Sequence, residues 1–155
     1  MNLANEQLII LAILLPLIAS VLIALVDKKP NLRDSVSLIA SLVLLATVLS
    51  LLPAVLAGEQ PSVTLLEIAP GLQVKFTLEP LGMLFACVAA LLWPINTLYS
   101  IGYMRSNNEP HQTRFYICFA IALSATMAIA MAGNLLTLFI SYEILTLSTY
   151  PLVTH

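Results

Sequence analysis

Charge is what this sequence has least of. Of its 155 residues, 9% are charged and 60% are apolar, against about 25% and roughly 45–50% in a soluble domain. That shortfall excludes an ordinary water-soluble globule and a disordered tail. Six basic residues against eight acidic ones exclude a nucleic-acid binder, which needs a basic patch. The formal net charge of −2 is too small to point to a charged partner. Two cysteines, Cys87 and Cys118, make no disulfide framework, and both lie in apolar runs where small buried residues are expected. No glycine-rich phosphate loop or Walker motif is present. His111, His155, Cys87 and Cys118 are too scattered for a metal site, and His111 reads as a solvated loop residue. No cofactor, nucleotide or covalent catalysis is therefore expected. The N-terminus carries no basic residue before a long apolar run, so a cleaved signal peptide is not expected either.

What is present is a series of long neutral stretches. Leu8–Val26, Ser35–Leu56, Pro80–Met104 and Phe115–Tyr142 hold no charged residue, and beyond Tyr142 only Glu143 interrupts the apolar run to Val153. About 18 apolar residues suffice for a transmembrane helix. As one helix, Phe115 to His155 would extend about 60 Å, about twice the hydrocarbon core, so the chain must turn back. Ala132-Gly133-Asn134 is the break signal, since Gly and Asn accept the left-handed conformation that ends a helix. The fold class predicted is all-α integral membrane, a single membrane domain over residues 1–155. It has five spans, at about 8–26, 35–57, 80–103, 114–132 and 134–154. Pro16, Pro53, Pro94 and Pro151 fall within or at the ends of spans, where neighbouring groups must satisfy the freed carbonyls. Asn96, Thr97, Tyr99 and Ser100 are expected to do so near Pro94.

The basic residues set the orientation. Lys28, Lys29 and Arg33 lie in the first loop, Arg105 and Arg114 in the third, and only Lys75 in the second. Five of six therefore fall on one side, expected to be cytoplasmic, with the N-terminus outside and the C-terminus near the cytoplasmic side. In the second loop, Leu72, Val74, Phe76 and Leu78 alternate with Gln73, Lys75, Thr77 and Glu79, and Pro70-Gly71 separates them from the run 63–68. This predicts a small extracytoplasmic β-hairpin over about 62–79. An isolated hairpin is marginal in water, so it needs a surface to dock on, either the outer membrane face or a neighbouring subunit.

Glu143 is the informative residue. It lies nine positions past Asn134, about 13 Å into the membrane and near its midplane. A charge there costs several kcal/mol unless paired or hydrated, which makes it a functional candidate by default. Thr146, Tyr150 and Thr154 follow at i+3, i+7 and i+11 on one helix face; Phe139 and Leu136, on the other side, are apolar. The outline is a proton-transfer carboxylate with a hydroxyl-lined path on one side only. Desolvation disfavours a charged carboxyl and a nearby lysine favours it, so a lysine at variable distance would drive proton uptake and release. No lysine lies inside any span, so that partner must lie elsewhere. Polar glue between helices is the competing reading of Glu143.

Three stretches carry a family resemblance: Glu79-Pro80-Leu81-Gly82-Met83-Leu84-Phe85, Tyr99-Ser100-Ile101-Gly102-Tyr103-Met104, and Gly133-Asn134-Leu135-Leu136-Thr137-Leu138-Phe139 followed by Tyr142-Glu143-Ile144-Leu145-Thr146-Leu147-Ser148-Thr149-Tyr150. Their order and spacing resemble the antiporter-like, proton-translocating membrane subunits of Mrp-type cation/proton antiporters, the D subunit above all, and of respiratory NADH-quinone oxidoreductases. The resemblance implies a subunit, or N-terminal fragment, of a multi-subunit antiporter in the bacterial cytoplasmic (inner) membrane. It implies partner membrane subunits, transport of protons with Na+ or K+, and an essential glutamate at Glu143 paired with a lysine on a later, broken helix. Family members have about fourteen helices. Residues 151–155 also lack the charged exit of a finished span, so a fragment, a truncated reading frame or one half of a split subunit is expected. A proton-pumping subunit of the oxidoreductase and a non-conducting scaffold or assembly subunit are the alternatives. An oxidoreductase label would reach the chain only through its parent complex, whose electron-transfer cofactors would belong to other subunits.

Overall fold

A computed structural model describes residues 3–108 and 110–154, with the side chains of Leu3, Val153 and Thr154 outside the description. The elements run α1 (Leu3–Leu25), α2 (Pro30–Leu56), β1 (Ser62–Ala69), β2 (Leu72–Thr77), α3 (Pro80–Asn107), α4 (Gln112–Ala130) and α5 (Leu135–Thr154). All five helices are long and apolar enough to cross a membrane. This is the expected all-helical membrane fold with one hairpin.

Local chemistry fixes several helix ends. Pro30 and Pro80 open α2 and α3, where the missing N–H costs nothing and the fixed φ already suits a helix. Asn108, with φ of 50°, closes α3 in the left-handed conformation. α2 begins five residues before the expected span start at 35, and that shift draws Arg33 and Asp34 into its first turns.

Four helices close a ring: α1 packs on α2, α2 on α3, α3 lightly on α4, and α4 extensively on α1. α5 stands outside the ring, against α4 and β2. Ile9, Leu44, Val48, Leu51, Met83, Trp93 and Met127 fill the centre. Several buried hydroxyls bond within their own helices: Ser41 donates to the Leu38 carbonyl and Thr47 to the Val43 carbonyl. One works between helices. Ser124 of α4 donates to the Ile13 carbonyl of α1 at 2.6 Å, next to the carbonyl that Pro16 leaves without its helical donor.

The chain breaks between α4 and α5 where the sequence indicates, but for another reason. Among the described residues the positive φ values are at Gly58, Gly71, Asn108 and His111, so neither Gly133 nor Asn134 is left-handed. Asn134 instead caps α5: its Oδ1 accepts the Thr137 N–H at 2.9 Å. Gly133 is required by close approach. A Cβ there would stand 2.8 Å from Thr77 Oγ1 and 3.0 Å from the Lys75 carbonyl oxygen.

β1 and β2 pair antiparallel from Ser62↔Thr77 to Ala69↔Leu72, with register shifts between Thr64 and Leu66 and between Glu67 and Ala69. The turn is Pro70-Gly71, with Gly71 at φ of 84°. The surface on which the hairpin docks is its own chain. The Thr77 N–H donates to the Met131 carbonyl at 2.7 Å and the Gly133 N–H to the Lys75 carbonyl at 2.8 Å. Phe76 and Leu78 are buried beneath, while Leu65, Leu66, Ile68 and Leu72 remain exposed.

Candidate functional site

α5 has two unlike faces. Thr137, Ser141 and Ser148 are buried on the side packed against the bundle. At about 100° per residue, Glu143, Thr146 and Tyr150 fall roughly opposite them, and all three are exposed. The structure therefore brings these three candidates onto one face of α5, turned away from α4. The fourth, Thr154, belongs to α5, but its side chain lies outside the described residues. Phe139 and Leu147 flank Glu143 on the exposed surface. Glu143 stands eight residues after Leu135, about 12 Å along the axis. Among the described residues no cation pairs with it; the ion pairs are those of Asp34 with Arg33 and Arg105.

The Thr146 hydroxyl, on the same face as Glu143, has a defined polarity. Thr146 Oγ1 donates to the Tyr142 carbonyl at 3.0 Å. Its proton is thus committed to the helix backbone, and its lone pairs remain available to an outside donor.

A second polar centre, read in the sequence only as loop charge, lies at the opposite end of the bundle from the hairpin. Arg33 and Asp34 are 4% and 5% exposed. Arg33 Nε donates to Asp34 Oδ1 at 3.1 Å. Its Nη1 and Nη2 donate to Thr113 Oγ1 and Gln112 Oε1 on α4, and its guanidinium lies 5.1 Å over the Tyr116 ring. Arg105, from α3, donates to Asp34 Oδ2 through Nε at 2.9 Å and Nη2 at 2.5 Å, and to Asn31 Oδ1 at 2.8 Å. The Asp34 carboxylate ties α2 to α3, and the Arg33 guanidinium that it holds ties α2 to α4. Its clue was an Arg-Asp pair directly before a neutral run, which reads as solvent-exposed unless the helix starts early enough to turn it inward. His111 is exposed and precedes α4 with φ of 57°. Among the described residues no group of three or more His, Cys, Asp or Glu is placed to hold a metal ion.

No protein-family model matches the chain. Over 109 residues it is 28% identical to the NADH-quinone oxidoreductase subunit N of Myxococcus xanthus, covering 70% of this chain and 21% of the relative. Over 83 residues it is 25% identical to the Na(+)/H(+) antiporter subunit A1 of Staphylococcus aureus, covering 54% of this chain and 10% of the relative. Its fold matches a chain of the membrane-bound sulfane sulfur reductase, an archaeal respiratory membrane complex, with a TM-score of 0.75 over 90% of this chain and 22% of that one. Sequence identity there is 21%, so that likeness is one of fold. These relatives bear out the resemblance to antiporter-like membrane subunits, and the chain spans about a fifth or less of their length.

Proposed function

We propose that the chain is a subunit, or the N-terminal part of one, in a multi-subunit proton-conducting monovalent cation/proton antiporter, with Glu143 as the intramembrane proton-transfer carboxylate. The observation that carries this reading is the exposed Glu143 on the outward face of α5, with Thr146 and Tyr150 beside it. Left against lipid, a charge at that depth costs several kcal/mol or more. A further membrane segment therefore covers this face and supplies a cation or water. In the antiporter-like subunits that the chain resembles, the glutamate matched by Glu143 pairs with a lysine on a later helix. Approach of that lysine favours the charged carboxyl and its withdrawal favours the protonated one. Thr146, Tyr150 and Thr154 then form one wall of the path leading to the end that carries Arg33 and Arg105. The protein sits in the bacterial cytoplasmic membrane with its N-terminus outside, because five of its six basic residues gather at one end. It assembles with other membrane subunits, exchanges H+ for Na+ or K+, and performs no catalytic step of its own.

The test is Glu143→Gln, assayed for proton and Na+ flux in vesicles of the assembled protein. Loss of flux with assembly intact is the expected result. Undiminished flux overturns the reading. Normal behaviour of Glu143→Gln together with failed assembly of Glu143→Leu would assign Glu143 as structural glue in a non-conducting subunit.

One observation favours a second reading. The longer and more identical of the two sequence matches is to the NADH-quinone oxidoreductase subunit N, and on this reading the chain serves proton pumping in a respiratory complex. In that case Glu143→Gln abolishes proton pumping driven by NADH oxidation, and Na+ gradients drive no proton exchange in either protein.

A further inference from the structure

The basic end of the bundle holds a cavity of about 690 Å³ where α1 ends and α2 and α4 begin. Arg33, His111, Arg114 and Asp27 line its polar part, and Ala24 and Ile117 its apolar part. A second cavity of about 530 Å³ shares Ala24 and Asp27 and adds Lys28, Lys29, Leu25 and Leu32.

The charges around these cavities do not cancel. Asp34 is occupied by both Arg33 and Arg105, so its single negative charge is already outnumbered. Among the described residues lining the two cavities, that leaves Asp27 against Lys28, Lys29 and Arg114, with His111 at the rim. α4 also opens here, and its helix dipole adds positive potential. A polar pocket of this sign recruits a phosphate-bearing anion.

The same cavity walls are apolar on the flank that continues along the spans. Ala24 and Leu25 end α1, and Ile117 lies one turn inside α4. Leu25 and Leu32 are exposed beside them. A phosphate held at Arg114 therefore has apolar surface leading from it in the direction of the bilayer core. Basic pockets at the ends of membrane helices have this form when they hold lipid headgroups.

We propose that this cavity binds the phosphate of an anionic phospholipid, with Arg114, His111 and the start of α4 around the headgroup and its acyl chains against α1 and α4. Arg33 positions the site rather than serving as its free cation, because Asp34, Gln112 and Thr113 hold its guanidinium.

The full chain, purified in its assembled state, is reconstituted in nanodiscs of phosphatidylcholine with or without phosphatidylglycerol. The bound phosphatidylglycerol is then counted by native mass spectrometry. Selective retention of phosphatidylglycerol is expected. Joint His111→Gln and Arg114→Gln replacement should weaken it about fivefold or more, a basic residue near an anionic headgroup being worth about that factor. Arg114→Lys, with His111 kept, should restore it. Lys75→Gln, at the hairpin end, should leave it unchanged. Equal retention of both lipids, or retention insensitive to the double variant, overturns the proposal. Displacement of the lipid by inorganic phosphate also overturns it and assigns the cavity to a soluble anion.

Discussion

Asn134 reaches across 61 residues to donate through Nδ2 to the Gln73 carbonyl at 2.7 Å, while its Oδ1 caps α5. One side chain thus starts the helix that carries Glu143 and ties that start to the hairpin. Thr137 completes the joint, its Oγ1 accepting the Lys75 N–H at 2.9 Å.

Asn134→Ala removes both bonds. A lost cap costs about 1 kcal/mol, and the hairpin loses a further anchor. A lower Tm in detergent, with faster hydrogen exchange at Gln73–Thr77 and in the first turn of α5, is the expected outcome. A change confined to α5 would show that the hairpin is held without Asn134. Gly133→Ala should be at least as damaging, because its Cβ meets Thr77 Oγ1 and the Lys75 backbone and overpacking costs typically about 1–3 kcal/mol.

Asp34 and Arg105 form one contact with two unequal ends. The Asp34 side chain is 6% exposed and that of Arg105 44%. Asp34→Ala strands Arg33 as a buried cation, a situation that costs about 3–5 kcal/mol, and the bundle should lose most of its thermal stability. Arg105→Gln leaves Arg33 and Asp34 paired and removes a half-solvated partner, so its effect should be about 1 kcal/mol or less. Comparable Tm losses for the two variants would contradict the asymmetry.

The interhelical bond beside Pro16 makes a narrower claim. Ser124→Ala withdraws the donor from the Ile13 carbonyl. Interhelical hydrogen bonds in membranes average about 0.6 kcal/mol, so a small Tm loss is expected. Ser124→Thr, which keeps the hydroxyl, should preserve stability only if its extra methyl fits between α1 and α4. If Ser124→Ala melts at the unaltered temperature, the serine contributes nothing to the contact between α1 and α4.

Which parts of this were legible in the sequence follows from the physics of each. The five helices were, because hydrocarbon admits little else than long uncharged runs, and Leu8–Val26 announces itself by composition. The hairpin was, because Leu72, Val74 and Phe76 alternate with polar residues around Pro70-Gly71. Its docking on residues 131–134 was not, since backbone bonds such as Gly133 to Lys75 leave no side-chain pattern. The burial of Arg33 and Asp34 was hidden because charges beside a span read as loop, and only the start of α2 at Pro30 turns them inward. Glu143, Thr146 and Tyr150 were placed on one face by spacing alone, but spacing could not say that the face turns away from α4. That depends on which side of α5 carries Thr137, Ser141 and Ser148 into the contact.

Thr146 offers a test of the path itself. Its hydroxyl donates to the Tyr142 carbonyl, so toward Glu143 it acts only as an acceptor, for a water or for a protonated carboxyl. Thr146→Val keeps the shape and removes that acceptor without leaving a buried donor stranded. One hydrogen bond is worth about 1 kcal/mol, so proton flux should fall about fivefold with assembly unchanged, whereas Glu143→Gln should remove flux altogether. Thr146→Ser should retain nearly full flux. If Thr146→Val conducts as well as the unaltered protein while Glu143→Gln does not, protons reach Glu143 by a route other than the hydroxyl face of α5, and the covering segment supplies it.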